Sequence, residues 1–122
     1  EQERREQPQS ARERRPDGPA AWETTIGLVH APYTRLLDTL VGLGCEVVFA
    51  GHTHGGQVCV PGYGALVTNC DIPRRQAAGP SAWRHAGRRA ALHVSQGLGT
   101  SIYAPIRFAC PPEATLVTLT AR

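Results

Sequence analysis

The sequence predicts an α/β fold in which a strand, a helix and a second strand are followed by a mostly antiparallel sheet. Two apolar runs of strand length, residues 24–30 and 47–50, flank residues 33–43, which have helical periodicity. Shorter apolar runs separated by glycine and proline turns follow after residue 56. With 122 residues, of which 41% are hydrophobic, the chain has enough material for one core.

The first three elements are expected to form one unit. Residues 33–43 are expected to be helical because their leucines and Val41 fall on one stripe and their polar residues outside it. Gly44 is placed to end this helix. A helix between two strands implies a right-handed parallel crossover, so residues that follow the two strands should lie side by side.

The remaining elements are expected to be short strands of a second, mostly antiparallel sheet. They are predicted at residues 57–60, 65–68, 91–95, 106–109 and 114–120. Residues 76–89 contain several glycine and arginine residues and are expected to form a mobile loop at the edge of that sheet.

The first 21 residues have a different composition from the rest. Five arginines and five acidic residues alternate with glutamine and proline, and large apolar side chains are nearly absent. Such a segment cannot offset the entropy lost on ordering, so residues 1–21 are predicted to be a disordered arm and residues 22–122 the domain. The arm has no excess of positive charge, and the whole chain has only +3, so no nucleic-acid partner is expected.

No run approaches the roughly 20 apolar residues that a membrane span requires, and no signal peptide is recognisable. No membrane segment is therefore expected in this chain. The sequence does not decide whether the protein is cytoplasmic or is attached to a membrane through a segment outside this sequence. Four widely spaced cysteines, at positions 45, 59, 70 and 110, are expected to be reduced thiols.

The most informative motif is Gly-His-Thr-His-Gly-Gly at residues 51–56, directly after an apolar strand. Residues at i and i+2 of an extended segment point to the same side, so His52 and His54 are expected to face one cleft while Thr53 faces away. Imidazole is a common metal ligand, and the motif therefore predicts a metal site.

Other uses of these histidines are less consistent with the sequence. A nucleotidyl-transferring histidine triad needs a third histidine at position 56, which is glycine. Two-histidine phosphoesterases need two His-x-Ser/Thr motifs, and this sequence has only one, at residues 93–95. A zinc knot of Cys45, Cys59 and the two histidines lacks a Cys-x-x-Cys pair, and Cys45 lies at the far end of the strand. Histidines that only hydrogen-bond loop carbonyls are a further alternative.

Residues 51–57 closely resemble the last metal-binding motif of the calcineurin-like metallophosphoesterases, in the bacterial branch with the sequence Gly-His-Thr-His-Gly-Gly-Gln. Residues 26–32 are similar to the motif before it, a strand that ends in one ligand histidine, here His30. Residues 97–100, 105–108 and 111–113 resemble the same branch, and the resemblance covers about residues 24–120.

The resemblance implies the C-terminal half of a metallophosphoesterase-type β-sandwich flanked by helices. It also implies hydrolysis of phosphate mono- or diesters at a centre of two divalent metal ions, whether manganese, iron, zinc or nickel. His30 and His52 would bind one ion and His54 the other. Arg107 is a candidate for binding the phosphoester substrate, with hydrogen bonding to loop carbonyls as an equal alternative.

The aspartate and asparagine motifs of this family do not occur in the sequence, and neither does the motif with its general-acid histidine. His85 is expected in a solvated loop and His93 on the more polar face of a strand, so no catalytic residue is assigned. We therefore expect a fragment with little turnover of its own, which needs a missing N-terminal half or another chain to complete the site. The alternative is a non-catalytic metal-binding remnant or a partner module.

Overall fold

The computed structural model describes residues 23–120, and the arm predicted at residues 1–21 lies outside them. The strands are β1 (Ile26–Leu28), β2 (Val47–Ala50), β3 (Cys59–Val60), β4 (Gly64–Ala65), β5 (Gly79–His85) and β6 (Arg88–Val94). The helix is α1 (Thr34–Gly42), and short 3-10 turns span His54–Gly56 and Arg74–Gln76.

One mixed sheet determines the fold. Its strand order is β1, β2, β6, β5, with β2 parallel to both β1 and β6 and with β5 antiparallel to β6. Strands β3 and β4 pair separately in a two-residue antiparallel ladder. The predicted α/β class is confirmed, and β1, α1 and β2 form the predicted strand–helix–strand unit with parallel strands.

Helix α1 covers one face of this sheet. Leu37 and Val41 are fully buried and pack with Val48 of β2 and Leu92 of β6 in the core. These side chains share a face because α1 has helical periodicity while the strands alternate. Within residues 23–120, no helix has both the length and the apolar character needed to cross a bilayer.

The N-terminus of α1 is capped from a distant part of the chain. The Tyr33 side chain makes no capping hydrogen bond. The Asp71 carboxylate accepts hydrogen bonds from the Thr34 backbone N–H (2.8 Å) and the Thr34 hydroxyl (2.7 Å). These bonds lower the pKa of the Asp71 carboxyl, because they favour its charged form. The cap attaches the segment around residue 71 to the start of the helix.

We call the face of the sheet that α1 does not cover the open sheet face. Strand alternation and register place on it Ile26, Leu28, Val47, Phe49, Pro80, Ala82, Ala91 and His93. Leu28 is 77% exposed although its environment is a parallel sheet, a structure that is normally covered on both faces. An apolar sheet face of this kind is typical of a surface that packs against another layer.

Two sequence predictions about later elements are wrong. The mobile loop expected at residues 76–89 contains β5 and the start of β6, because all seven residues of β5 pair with β6 across a turn at residues 86–87. Residues 91–95 were expected in a second sheet, but residues 91–94 lie in the first.

The two C-terminal strands expected at residues 106–109 and 114–120 are also absent from this part of the chain. Phe108 makes one isolated parallel bridge with Val58, and residues 110–120 form no strand. Alternating apolar residues do not produce a strand here, because the ladder of these residues does not extend beyond the single bridge between Phe108 and Val58.

Candidate functional site

His30 and His52 lie beyond the carboxyl ends of the neighbouring strands β1 and β2. Backbone pairing continues up to them, because the Gly51 N–H donates to the His30 carbonyl at 2.9 Å. His30 Nε2 and His52 Nδ1 are 3.1 Å apart, and the ring centroids are separated by 5.0 Å with an interplanar angle of 65°. The predicted proximity of these two histidines is confirmed.

The turn at residues 52–57 has an unusual backbone. His52, His54 and Gln57 have φ angles of 69°, 49° and 52°, in the left-handed region. The two histidines are therefore not in the extended conformation that the sequence suggested. Thr53 is buried: it is 1% exposed and its hydroxyl donates to the Ala77 carbonyl at 2.7 Å.

His54 begins the 3-10 turn, and its carbonyl has several partners. This oxygen accepts hydrogen bonds from Gln57 N (3.1 Å) and Arg107 Nη1 (3.2 Å), and the Cys110 thiol lies 3.3 Å away. Among residues 23–120, no three His, Cys, Asp or Glu side chains form a group that could hold a metal ion. The assignment of the His54 ring to a second ion stays a prediction.

Arg107 is surrounded by main-chain carbonyls. Its guanidinium donates to the carbonyl oxygens of His54, Gln96, Gly97, Gly99, Cys110 and Pro111. Each of its three nitrogens takes part, with distances such as 2.7 Å from Nη2 to the Gln96 oxygen and 3.0 Å from Nε to the Gly99 oxygen. These contacts favour the loop-carbonyl alternative, while the substrate-binding role stays a prediction.

Two aspartates among the described residues have partners outside the histidine pair. Both oxygens of Asp71 accept from Thr34. Asp38 Oδ1 accepts from Trp83 Nε1 at 2.8 Å and lies 3.2 Å from His85 Nδ1. His85 is therefore part of a strand and paired, although its side chain is 43% exposed, whereas a solvated loop was expected.

His93 lies on the face of β6 opposite Leu92 and Val94, as predicted, but its neighbours from the adjacent strands are apolar. It occupies the open sheet face, where its register partners are Phe49 and Pro80 and its ring centroid is 6.3 Å from that of Phe49. Its Nε2 is buried without a hydrogen-bond partner. A buried imidazole nitrogen of this kind is destabilising unless a further group satisfies it.

A shallow depression adjoins the histidine pair. It has a volume of about 340 Å³ and is lined by Leu28, Val29, His30, Phe49 and Ala50. The lining combines one imidazole with an apolar surface that continues into the open sheet face. A ligand or another polypeptide can therefore approach His30 from this side.

Sequence reasoning missed one pair of residues near the turn. The sequence predicts only that Cys59 and Cys110 are reduced thiols, but both lie against the backbone of residues 54–55. Burial raises the pKa of the Cys59 thiol, and the neighbouring Cys110 thiol raises it further. No sequence signal indicated this contact, since 50 intervening residues separate the two cysteines.

Comparison with known proteins gives one relevant relative. Over 95 residues the chain is 33% identical to a Bacillus subtilis protein named uncharacterized metallophosphoesterase YkuE. This similarity supports an assignment to the metallophosphoesterase family. The aligned region covers 78% of this chain and 30% of the relative, so the chain spans about a third of that protein's length. No protein-family model and no solved structure matches the chain.

Proposed function

We propose that this chain contributes metal ligands to a metal-dependent phosphoesterase, with His30 and His52 on one divalent cation and His54 on a second. The observation that supports it best is the 3.1 Å separation of His30 Nε2 and His52 Nδ1. Two nitrogens that each lie about 2.0–2.1 Å from one zinc ion with tetrahedral geometry are ~3.3 Å apart. The histidine pair therefore fits a shared cation.

The proposed substrate is a phosphate mono- or diester, which agrees with the name of the Bacillus subtilis relative. Divalent cations at such a centre stabilise charge on phosphoryl oxygens and activate water. The residues of this chain would hold the cations and exclude water from one side. The His30 and His52 rings present the nitrogens, and Leu28 and Phe49 form the apolar wall of the adjoining depression.

A zinc titration tests the proposal. His30→Ala and His52→Asn each remove one imidazole, and asparagine is chosen at position 52 because it tolerates the positive φ there. His85→Ala is the matched control, since His85 pairs with Asp38 and not with the two site histidines. We expect each site variant to weaken zinc binding by about 10- to 100-fold or more, the loss that removal of even a secondary partner of a ligand causes.

The same separation also fits a direct hydrogen bond between two neutral imidazoles, in which one ring donates and the other accepts. In that case zinc binding by the site variants would equal that of the wild type and of His85→Ala, and the metal assignment would be wrong. Isothermal calorimetry with a chelator-buffered zinc solution distinguishes the two results.

A second candidate function is a module that completes its site with another polypeptide segment. The open sheet face favours it, because this apolar surface adjoins His30 and includes a buried imidazole nitrogen without a partner. The proposed occupant is the other layer of a sandwich, from a segment outside this sequence or from another chain. That layer would also supply the aspartate and asparagine ligands.

The coding sequence upstream of residue 1 distinguishes the two candidates. Aspartate and asparagine ligand motifs encoded directly upstream would support one continuous enzyme, and their absence would support a separate partner or a metal-binding remnant. Activity gives an independent test: the 122-residue chain alone should show little turnover of a chromogenic phosphodiester with added manganese. Robust turnover that His54→Asn abolishes would mean that this chain already contains a complete centre.

A further inference from the structure

Two thiols contact the turn that contains His54. Cys59, at the start of β3, donates from Sγ to the Gly55 carbonyl at 3.3 Å. Cys110 Sγ lies 3.3 Å from the His54 carbonyl oxygen, which belongs to the preceding residue of the turn. The two sulfur atoms thus contact consecutive carbonyls of the same short backbone stretch, and both cysteines are free thiols.

Backbone pairing brings the two cysteine segments together. Cys59 N donates to the Phe108 carbonyl at 2.9 Å, and Phe108 N donates to the Gln57 carbonyl at 2.8 Å. Ala109, between Phe108 and Cys110, has a φ of 48°, which turns the chain between these two residues. The cysteine pair is therefore positioned by main-chain hydrogen bonds and does not depend on a chance approach of side chains.

The Cys110 sulfur is also closely packed. A Cβ built on Gly55 would lie 2.7 Å from it, so this thiol fills the space that a side chain at position 55 would need. Cys110 is 3% exposed, whereas Cys59 is partly accessible. A small oxidant can therefore reach Cys59 first, while Cys110 is held close to it.

We propose that Cys59 and Cys110 are a redox pair that forms an intramolecular disulfide on exposure to a peroxide. In the first step the Cys59 thiolate attacks hydrogen peroxide, which forms a sulfenic acid and releases hydroxide. The Cys110 thiolate then attacks the Cys59 sulfur, so that the S–S bond forms and the S–O bond breaks with loss of water after protonation. Overall, two thiols are oxidised and one peroxide is reduced to two water molecules.

This bond would alter the turn around His54. A disulfide sulfur has no proton to donate, so the Gly55 carbonyl would lose its thiol donor, and Cys110 could no longer donate to either of its acceptors, the His54 carbonyl and Gln96 Oε1. At the same time the cross-link would join β3 covalently to the segment after Phe108, next to the turn that contains His54. Formation of the disulfide is independent of the proposed phosphoesterase function, because it needs only the two thiols and an oxidant.

Thiol counting and peptide mapping test the proposal on the 122-residue chain. The protein is treated with hydrogen peroxide at a mildly alkaline pH of about 8.5, where more of the Cys59 thiol is ionised, and remaining thiols are then alkylated. We expect a loss of two of the four thiols and their recovery on reduction with dithiothreitol. Digestion with trypsin and chymotrypsin resolves the cysteines, because Phe49 and Tyr63 separate Cys59 from Cys45 and Cys70.

Matched variants distinguish this pair from other oxidation products. Cys59→Ser should abolish the linked peptide, whereas Cys70→Ser, which leaves both members of the pair intact, should yield as much of it as the wild type. Oxidation of Cys59 to a sulfinic acid with Cys110 still open to alkylation would overturn the proposal. So would a bond between Cys59 and any other cysteine, or a bond between two copies of the chain. Because Cys59 is the more exposed member, its serine variant is expected to fold, which circular dichroism verifies.

Discussion

Replacing Gly56 with alanine should destabilise the protein by about 3 kcal/mol, because two costs add at this position. The φ of Gly56 is 87°, in the left-handed region, which costs an L-residue about 1–2 kcal/mol. A Cβ there would lie 2.3 Å from the Ala65 Cβ and 3.0 Å from the Val67 carbonyl oxygen. Overpacking of this kind typically costs about 1–3 kcal/mol. The expected fall in melting temperature is roughly 12–24 °C for a domain of this size.

Gly62 provides the matched control for this experiment. Its φ is 79°, close to that of Gly56, but a Cβ built on it has no atom within 4 Å. Gly62→Ala should therefore show the backbone cost alone, about 1–2 kcal/mol. Thermal unfolding followed by far-UV circular dichroism compares the two variants. Equal decreases in melting temperature would refute the close approach of Gly56 to β4, and with it the described packing of the turn.

Two further predictions concern polar groups elsewhere in the fold. His93→Leu should raise the free energy of unfolding by about 1 kcal/mol, because it removes a buried Nε2 that has no hydrogen-bond partner; a lower urea midpoint would contradict this. For Asp71, hydrogen bonds from Thr34 lower the pKa of the carboxyl in the folded protein. The ionised carboxylate therefore stabilises the fold fully above the unfolded-state pKa of about 3.9. This stabilisation is lost as the pH falls through the lower folded-state pKa. The stability difference between the wild type and Asp71→Asn should therefore be constant down to about pH 5 and shrink in more acidic solution. A urea-denaturation series that gives the same difference at every pH would be evidence against the cap.

The strand–helix–strand unit could be predicted because its signals are local. The apolar stripe of residues 33–43 corresponds to α1 at Thr34–Gly42, and Gly44, expected to end the helix, has a φ of 93°. Strand β5 could not be predicted in the same way, since its glycine, arginine and serine content is typical of a loop. It becomes a strand through non-local packing, in which Trp83 contacts the core and donates to Asp38.

The candidate site, like the fold, could be predicted from the sequence only in part. The approach of His30 to His52 follows from parallel strands with ligands at their carboxyl ends, a rule that needs only the order of the elements. The sequence does not decide between the two alternatives for Arg107, because the carbonyls that surround it come from loops whose course depends on tertiary contacts. The positive φ angles at His52 and His54 were not foreseen, since non-glycine residues rarely adopt them.

Those φ angles determine how the turn would respond to a ligand. The left-handed conformations at His52 and His54 are held by contacts within the chain, including the Thr53 hydroxyl on Ala77 and the Arg107 guanidinium on the His54 carbonyl. The entropy of shaping the loop is lost during folding rather than on binding. A cation that arrives at these rings would consequently meet a preorganised receptor, and little of its affinity would be consumed in ordering the backbone.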